Sequence, residues 1–417
     1  MFVTGPDFEQ MLNVALAAVP AGPLGVAVSG GGDSMALLLL MADRAQRSGH
    51  PVFAATVDHG LRLEAAQEAA FVGETAANLG LQHDVLCWTG WDGQGNLQDQ
   101  ARQARYRLLA DWARERGLGA VLLAHTSDDQ AETLLMRLAR GAGVDGLSAM
   151  AERFIWNGVV FLRPLLSLSR QDLRSFLEAR GQEWIEDPSN DDTRFDRVKA
   201  RRALEGLSSM GIDAQQLSRV AENLSDARDA LNWAARRFAV EHVKVLGGDL
   251  IIARDAFLDL PAELARRVVV RALGWISGAG YAPRRAEVAH FLQSARDGRG
   301  ATVQGCRMML RKGGVHLFRE YDAVKDMTEA PGQPWDSRWI LSGPETAPCH
   351  VAALGEAGLA QCPDWRDTGR PAASVMADPA VWSDDRLIAA PLAGFPNGWQ
   401  AKLIEGRRDF AKTLLSH

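Results

Sequence analysis

A chain of 417 residues is too long for one ordinary core and calls for two or three domains. An apolar content of 47% is that of a soluble globular protein, and no apolar run reaches the roughly 20 residues of a membrane span. A formal net charge of −6 argues against a surface coated in nucleic acid, while leaving room for a local basic face. The start of the chain, Met1 to Asp7, lacks the charged region and apolar stretch of a signal peptide. Cys87, Cys306, Cys349 and Cys362 stand far apart with no Cys-x-x-Cys among them. They read as inert or buried thiols in a reducing cytoplasm, the expected location.

Residues 7–18 read as a short amphipathic helix, and Leu24 to Val28 as a buried strand. That strand runs into Ser29-Gly30-Gly31-Gly32-Asp33-Ser34 and then an apolar helix, 34–47. A second strand, Pro51 to Val57, ends in Asp58-His59-Gly60-Leu61-Arg62; an alanine-rich helix, 64–79, and a third strand, 82–87, follow. Asn96 to Arg116 is a long arginine-bearing helix, Ala120 to Ala124 a fourth strand ending at His125, 128–140 a helix and Val159 to Leu162 another strand. Strands alternating with helices predict an α/β fold: a parallel sheet with helices on both faces. Ligands of such sheets bind beyond the carboxyl ends of strands, at the switch point. If the first and fourth strands are neighbours, their polar ends share one crevice.

Strand, glycine loop and helix make a phosphate cradle. Glycines let the backbone approach a phosphate, successive N–H groups form a nest, and the helix adds its positive end. No Gly-Lys-Ser/Thr occurs in the loop, so it is not a Walker A loop. The cradle, Ser29 to Ser34, relies on backbone amides and on a metal held by Asp33. Beyond the fourth strand lies His125-Thr126-Ser127-Asp128-Asp129-Gln130-Ala131-Glu132. Ser127 with Gln130 reads as a capping box, and acidic residues in a first turn suit the helix dipole. Asp129 and Glu132, three apart, share a face beside the phosphate site. They can bind metal, grip an amine or accept its protons. His125, at a strand end, joins them as a catalytic candidate. Arg102, Arg105 and Tyr106 lie on one helical face; they are a solvated surface or a contact to phosphates and bases, where Arg pairs with phosphate and Tyr stacks.

The loop resembles the Ser-Gly-Gly-x-Asp-Ser pyrophosphatase (PP) loop of the N-type ATP pyrophosphatases. Val57 to Arg62, the Ala101–Tyr106 helix, His125 to Gly141 continuing to Leu147, Arg163-Pro164-Leu165-Leu166, and Asp187-Pro188-Ser189-Asn190 followed by Arg194, Arg197 and Arg201 stand in the order of one family. Over roughly the first 200 residues the chain is similar to the tRNA(Ile)-lysidine synthetase family. It departs near Val198 and Ala200, where the family has a polar and an aliphatic residue. The resemblance implies ligation of free L-lysine to C2 of the wobble cytidine of CAU-anticodon tRNA(Ile). ATP adenylates the C2 oxygen and releases pyrophosphate; the lysine ε-amine then expels AMP. It further implies magnesium on Asp33, an acidic pair at Asp129 and Glu132 that serves lysine, a site role for Arg163, and tRNA contacts from Arg194, Arg197 and Arg201. Other synthetases with this loop (for GMP, NAD or asparagine) would want an amidotransferase domain or different second motifs, and a tRNA thiolase a cysteine pair. A non-catalytic nucleotide- or RNA-binding module would not need Asp129 and Glu132 beside an intact loop.

Residues 1–210 are thus expected to be the PP-loop catalytic domain, with two smaller domains after it. The second, 211–325, combines a helical connector over 213–245, a turn at Gly247-Gly248-Asp249, helices Pro261 to Ile276 and Pro283 to Ser294, and strands Ala301 to Leu310 and Val315 to Arg319 around a Lys312-Gly313-Gly314 hairpin. From Arg254 to Arg319 about 12 Lys/Arg stand against about 5 Asp/Glu, a footprint for tRNA contact that includes Arg284 and Arg285. After the proline-containing stretch Ala330 to Pro334, residues 330–417 are expected to form a small β-rich domain. Its tryptophans, Trp335, Trp339, Trp365, Trp382 and Trp399, read as core.

Overall fold

Alternating apolar patterns in the first half of the chain fold as read. The computed structural model describes residues 5–17, 19–60, 65–89, 97–186, 196–279, 281–311, 314–344, 348–405, 407 and 409–414. The chain divides into two compact units, residues 1–228 and 229–417. In the first, the order is α1 (Gly5–Leu16), β1 (Leu24–Ala27), α2 (Gly32–Ser48), β2 (Val52–Asp58), α3 (Ala65–Asn78), β3 (Gln82–Cys87), α4 (Leu97–Glu115), β4 (Ala120–Leu122), α5 (Ser127–Ala139), α6 (Val144–Leu147), β5 (Arg153–Trp156), β6 (Val159–Leu162), α7 (Arg170–Ala179) and α8 (Asp196–Ser208). Helix α9 (Ala214–His242) runs across the division between the units.

The sheet order is β3-β2-β1-β4-β6-β5. All pairs are parallel except β5 with β6. β1 and β4 are neighbours, from Leu24 opposite Ala120 to Val26 opposite Leu122, so the winding reverses between them. One face is buried under α1, α2 and α7 through Phe8, Leu12, Leu37, Met41, Leu173 and Leu177. The other is buried under α4 through Leu109 and Trp112, packed with Val121 and Phe161. β1 and α4 approach so closely that a Cβ on Gly25 would lie 2.6 Å from the Trp112 ring.

Among the elements that escaped the sequence reading are β5 and α7. β5 and β6 form a hairpin about Asn157-Gly158, both left-handed (φ 47° and 79°), which is the Asn-Gly signature of a tight turn. Helix α7 opens with a capping box in which the Ser169 hydroxyl and the Asp172 carboxylate satisfy each other's backbone N–H groups.

The second unit holds a five-stranded antiparallel sheet, order β7-β8-β11-β10-β9, made of β7 (Val243–Leu246), β8 (Asp249–Ala253), β9 (Ala301–Val303), β10 (Cys306–Arg311) and β11 (Gly314–Arg319). The expected single run from Ala301 is broken at Gln304-Gly305, both left-handed. β10 and β11 pair from Cys306 opposite Arg319 to Arg311 opposite Gly314; Lys312 and Gly313 of the expected turn lie outside the described residues. Helices α10 (Arg254–Leu258), α11 (Ala262–Ser277) and α12 (Arg285–Arg296) precede β9, and α11 and α12 supply Val268, Leu273, Ile276 and Phe291 to the core. The remaining residues form a four-stranded and a two-stranded sheet. Trp335, Trp339, Trp382 and Trp399 are buried there and Trp365 is half-buried, the core placement expected of them. Cys306 and Cys362 are buried, whereas Cys87 is exposed.

Arg370 organises a buried polar cluster in this unit. Its guanidinium donates to both carboxylate oxygens of Asp249 (2.9 Å each), to both of Asp378 (2.6 and 2.8 Å) and to the Ser374 hydroxyl (2.7 Å). Burial pushes the Asp378 carboxyl up to about 6 even with Arg370 opposing it. Arg370→Ala strands two buried carboxylates and should cost about 3–5 kcal/mol. Denaturant unfolding of the variant tests this, and an unmoved midpoint would show that the cluster contributes nothing to stability.

Candidate active site

The crevice opens where β1 and β4 end. It encloses about 600 Å³, lined by Ser29, Gly31, Gly32, Asp33 and Ser34 of the loop, by His125 and Asp129 beyond β4, and by Arg105, Arg170, Arg174, Trp184, Ile185, Glu186 and Arg201. The loop is held from within. Ser29 N–H donates to Ser34 Oγ (3.1 Å), and Ser34 Oγ donates to Gly31 O (2.9 Å). Gly30 is left-handed (φ 85°), its carbonyl accepts from Ile185 N–H (2.9 Å), and a Cβ there would lie 2.9 Å from the Ile185 side chain. A Cβ on Gly31 would meet nothing nearer than 3.8 Å. Gly31 is the N-cap of α2, so the first-turn amides of Gly32, Asp33 and Ser34 have no helical acceptor. They stand beside the crevice with the helix dipole behind them, an anion-binding arrangement.

The second polar cluster is capped differently from its expected form. The capping box is not Ser127 with Gln130. Thr126 is the N-cap, and Asp129 Oδ2 accepts from Thr126 N–H (2.9 Å) and Oγ1 (3.1 Å). Gln130 instead turns inward and exchanges hydrogen bonds with the Met150 backbone. One oxygen of Asp129 is therefore structural, and the other serves the crevice.

That other oxygen meets Arg170, which the sequence reading passed over. Arg170 donates from Nη2 to Asp129 Oδ1 (2.8 Å), from Nη1 to Glu132 Oε1 (2.8 Å) and from Nε to Asp33 Oδ2 (3.4 Å). One guanidinium thus ties the loop helix α2 to α5. Burial disfavours its charge, but the carboxylates outweigh burial and raise its pKa. Burial likewise works against ionised Asp129, yet Arg170 and the Thr126 amide hold its carboxyl below the usual range. Asp33 goes the other way: burial, with repulsion from Asp129, lifts it to about 6 against the pull of Arg170. A signal for Arg170 was present in the sequence. A cation in the first turn of a helix opposes the dipole, so Ser169-Arg170-Gln171-Asp172 asks for a carboxylate partner elsewhere.

Glu132 occupies a different place from the one expected. It is 1% exposed and lies beneath Arg170 and Arg201, with Arg201 Nε 3.1 Å from its Oε1. Its other oxygen is buried without a hydrogen-bond partner among the described residues. In this structure Glu132 anchors two arginines of the crevice wall, and Asp129 faces the space itself.

His125 Nδ1 accepts from Arg163 Nε (3.2 Å), which leaves the imidazole proton on Nε2. Burial, together with Arg163, Arg197 and Arg105, drives its pKa down to about 3, so it is neutral at ordinary pH. Arg163, 5% exposed, for which the family resemblance implied a site role, also reaches Tyr106 Oη (3.5 Å) and covers the Phe154 ring.

The remaining candidates divide. Arg105 is exposed and lines the crevice. Arg102 is exposed and packs against Tyr106. Tyr106 is 8% exposed, ringed by Phe154, Trp156 and Phe161, so its ring is core and offers no face to a base. Arg197 is exposed on α8, and Arg201 reaches Glu132. Arg194, the Asp187–Asn190 motif, Leu61 and Arg62 lie outside the described residues. Arg284 and Arg285, in the second unit, are both exposed at the start of α12.

Residues 5–207 match the PP-loop domain family. The chain is 52% identical over 411 residues to the tRNA(Ile)-lysidine synthase of Ruegeria pomeroyi, covering 99% of this chain and 98% of that one. It is 41% identical to the tRNA(Ile)-lysidine synthase of Methylobacterium nodulans (78% of this chain, 96% of that one) and 32% identical to that of Wolbachia pipientis wMel (92% and 91%).

The geometry makes Arg170 and Glu132 a coupled pair. Arg170→Met and Glu132→Leu should each destabilise the protein, and the double variant should lose less than their sum, with a coupling of about 0.5–3 kcal/mol. A double-mutant cycle by denaturant unfolding measures it. Strict additivity would mean that the two charges do not stabilise each other.

Proposed function

The chain belongs to the tRNA(Ile)-lysidine synthase family, and from that premise we propose the course of its reaction. The ATP-dependent ligase activity that forms lysidine on tRNA(Ile) comes with the family. In the proposed course, the C2 oxygen of the wobble cytidine of a CAU-anticodon tRNA attacks the α-phosphorus of ATP, and pyrophosphate leaves. The ε-amine of free L-lysine then attacks C2, and AMP departs with the C2 oxygen. One observation supports this above others: a single crevice joins the glycine loop and Asp33 to Asp129 through Arg170.

The loop amides from Gly32 to Ser34 are the natural seat for the departing pyrophosphate, since fixed donors stabilise charge as it develops. A magnesium ion fits Asp33. Among the described residues no group of three His, Cys, Asp or Glu side chains is poised to hold a metal. Magnesium, however, commonly takes one or two carboxylates and completes its shell with phosphates and water. Asp33 is a quarter exposed at the mouth of the loop, with too little positive charge about it to hold its carboxyl in the ordinary range. When bound, the ion would neutralise charge on the phosphates.

Asp129 grips lysine in this reading, because an ionised carboxylate gives a charge-assisted hydrogen bond to an ammonium. A carboxyl held below its usual range is a poor proton acceptor, so Asp129 orients the amine more than it deprotonates it. Glu132 acts through Arg170 and Arg201. Arg105 and Arg197 flank the crevice as phosphate or RNA contacts, and Arg284 and Arg285 on α12 are separate tRNA contacts of the second unit. Among the described residues no helix is long and apolar enough to cross a membrane, and a tRNA substrate suits a cytoplasmic site of action.

Single-turnover assays separate the two half-reactions. Asp33→Asn should lower pyrophosphate release by about 100-fold or more in folded protein. Asp129→Asn keeps an acceptor for the Thr126 cap, so adenylated tRNA should still accumulate without lysine, turn over slowly to lysidine, and be partly rescued by excess lysine. An absent intermediate in folded Asp129→Asn protein would move Asp129 to the ATP site. Normal pyrophosphate release by Asp33→Asn would end the magnesium assignment.

Arg284→Glu combined with Arg285→Glu should weaken tRNA binding and flatten its salt dependence, because phosphate contacts release counterions. ATP binding alone should be unchanged. Wild-type tRNA affinity at low salt would remove α12 from the RNA surface.

A further inference from the structure

Tyr106 is unavailable for stacking because another aromatic covers it. Phe154 and Trp156 alternate onto the same face of β5, the face under α4. The Trp156 ring packs on Tyr106 with centroids 5.6 Å apart and planes tilted by 36°, and Trp156 remains 36% exposed. On the same Tyr106 ring sits the exposed Arg102, its guanidinium carbon 5.7 Å from the centroid. An aromatic face and a cation therefore share one support at the surface of the first unit.

Two further arginines stand behind them. Arg163 reaches the Tyr106 hydroxyl, and Arg137 Nη1 donates to the carbonyls of Gly146 (2.7 Å) and Ala149 (2.8 Å). Among the described residues none of Arg102, Arg137 and Arg163 forms an ion pair with a carboxylate. The three charges act on one another: burial, then Arg102 and Arg163, push the Arg137 pKa down. Positive charge without an ion-paired carboxylate, beside an exposed aromatic face, suits a nucleotide, which brings both a phosphate and a base. The patch is also wired to the crevice. Trp156 rests on Tyr106, Tyr106 meets Arg163, and Arg163 donates to His125 in the crevice wall.

We propose that Trp156, seated on Tyr106 beside Arg102, is a stacking platform for an unpaired tRNA nucleotide next to the one that enters the crevice. The proposal rests on the lysidine-forming reading above. A base that reacts must leave its stack, so its neighbour in a single-stranded loop is unstacked as well and needs a surface. Trp156 supplies the face, Arg102 meets the phosphate, and Arg137 and Arg163 add their field behind it.

The test is binding of a labelled CAU anticodon stem-loop RNA at two salt concentrations, with ATP binding as the control. Trp156→Ala should raise the Kd about tenfold, the scale of one lost base stack. Trp156→Phe should stay within about threefold, since it keeps an aromatic face. Arg102→Gln should flatten the salt slope by about one unit. Should Trp156→Ala fail to fold, Trp156→Met fills similar space without an aromatic face and carries the same expectation. Wild-type affinity in Trp156→Ala, or equal losses in the Ala and Phe variants, would overturn the platform. So would a change in sedimenting mass on Trp156→Ala, which would make the patch a contact between two copies. If the wild-type protein forms no lysidine on CAU tRNA, the functional reading and the platform fall together; if it does and Trp156→Ala binds normally, the platform alone falls.

Discussion

Three carboxylates from two helix starts, Asp33 on α2 and Asp129 and Glu132 on α5, converge in a largely buried space, and Arg170 makes that convergence possible. Buried like charges repel strongly in a poor dielectric, and the group that suffers most is neutralised. Arg170 answers two of them at 2.8 Å and the third at 3.4 Å. The ranking shows in the charges: Asp129, best partnered, stays ionised, while Asp33, at the longest contact, does so with more difficulty. The α/β scaffold places α2 and α5 after adjacent strands, and Arg170 arrives from α7 to make the arrangement tolerable.

This explains which parts of the site could be read in advance. The glycine loop and the parallel sheet are local and periodic facts: a run of glycines between an apolar strand and an apolar helix, and alternation of strand and helix. They appear where the residues put them, with the chief elements of the first unit displaced by no more than two residues at either end. Arg170 is a long-range fact. It lies 41 residues from Asp129 and 137 from Asp33, and nothing local marks it except a cation where the dipole disfavours one. Glu132 and Tyr106 lie deeper than helical spacing suggested, for a related reason. Helical spacing says which residues share a face, not whether another side chain lies over that face. Arg170 and Arg201 cover Glu132, and Trp156 covers Tyr106.

The same limit applies to charge counts. Part of the arginine excess between Arg254 and Arg319 is engaged within the fold. Arg266 and Arg267 both pair with Glu263, and Arg319 is held by Asp336 at 2.8 Å. Composition cannot separate a charge that holds the fold from one that meets a partner. Burial can, and it leaves Arg284 and Arg285 exposed at the start of α12, as it does Arg254, Arg296, Arg299, Arg307 and Arg311. Cap frames show the problem on a smaller scale: Thr126 and Ser127 are both acceptable N-caps, and only the backbone decides that Asp129, not Gln130, closes the box.

The three glycines of the loop look equivalent in the sequence, yet they are required by different things. Gly30 is needed by the protein itself. Its left-handed backbone and the Ile185 side chain would exclude a methyl group whether or not a nucleotide is present. Gly31 is under no such internal pressure, because a methyl there has room. A bare position there leaves room for the close approach of a phosphate. A family that kept the fold and abandoned the chemistry would be free to lose the second glycine long before the first.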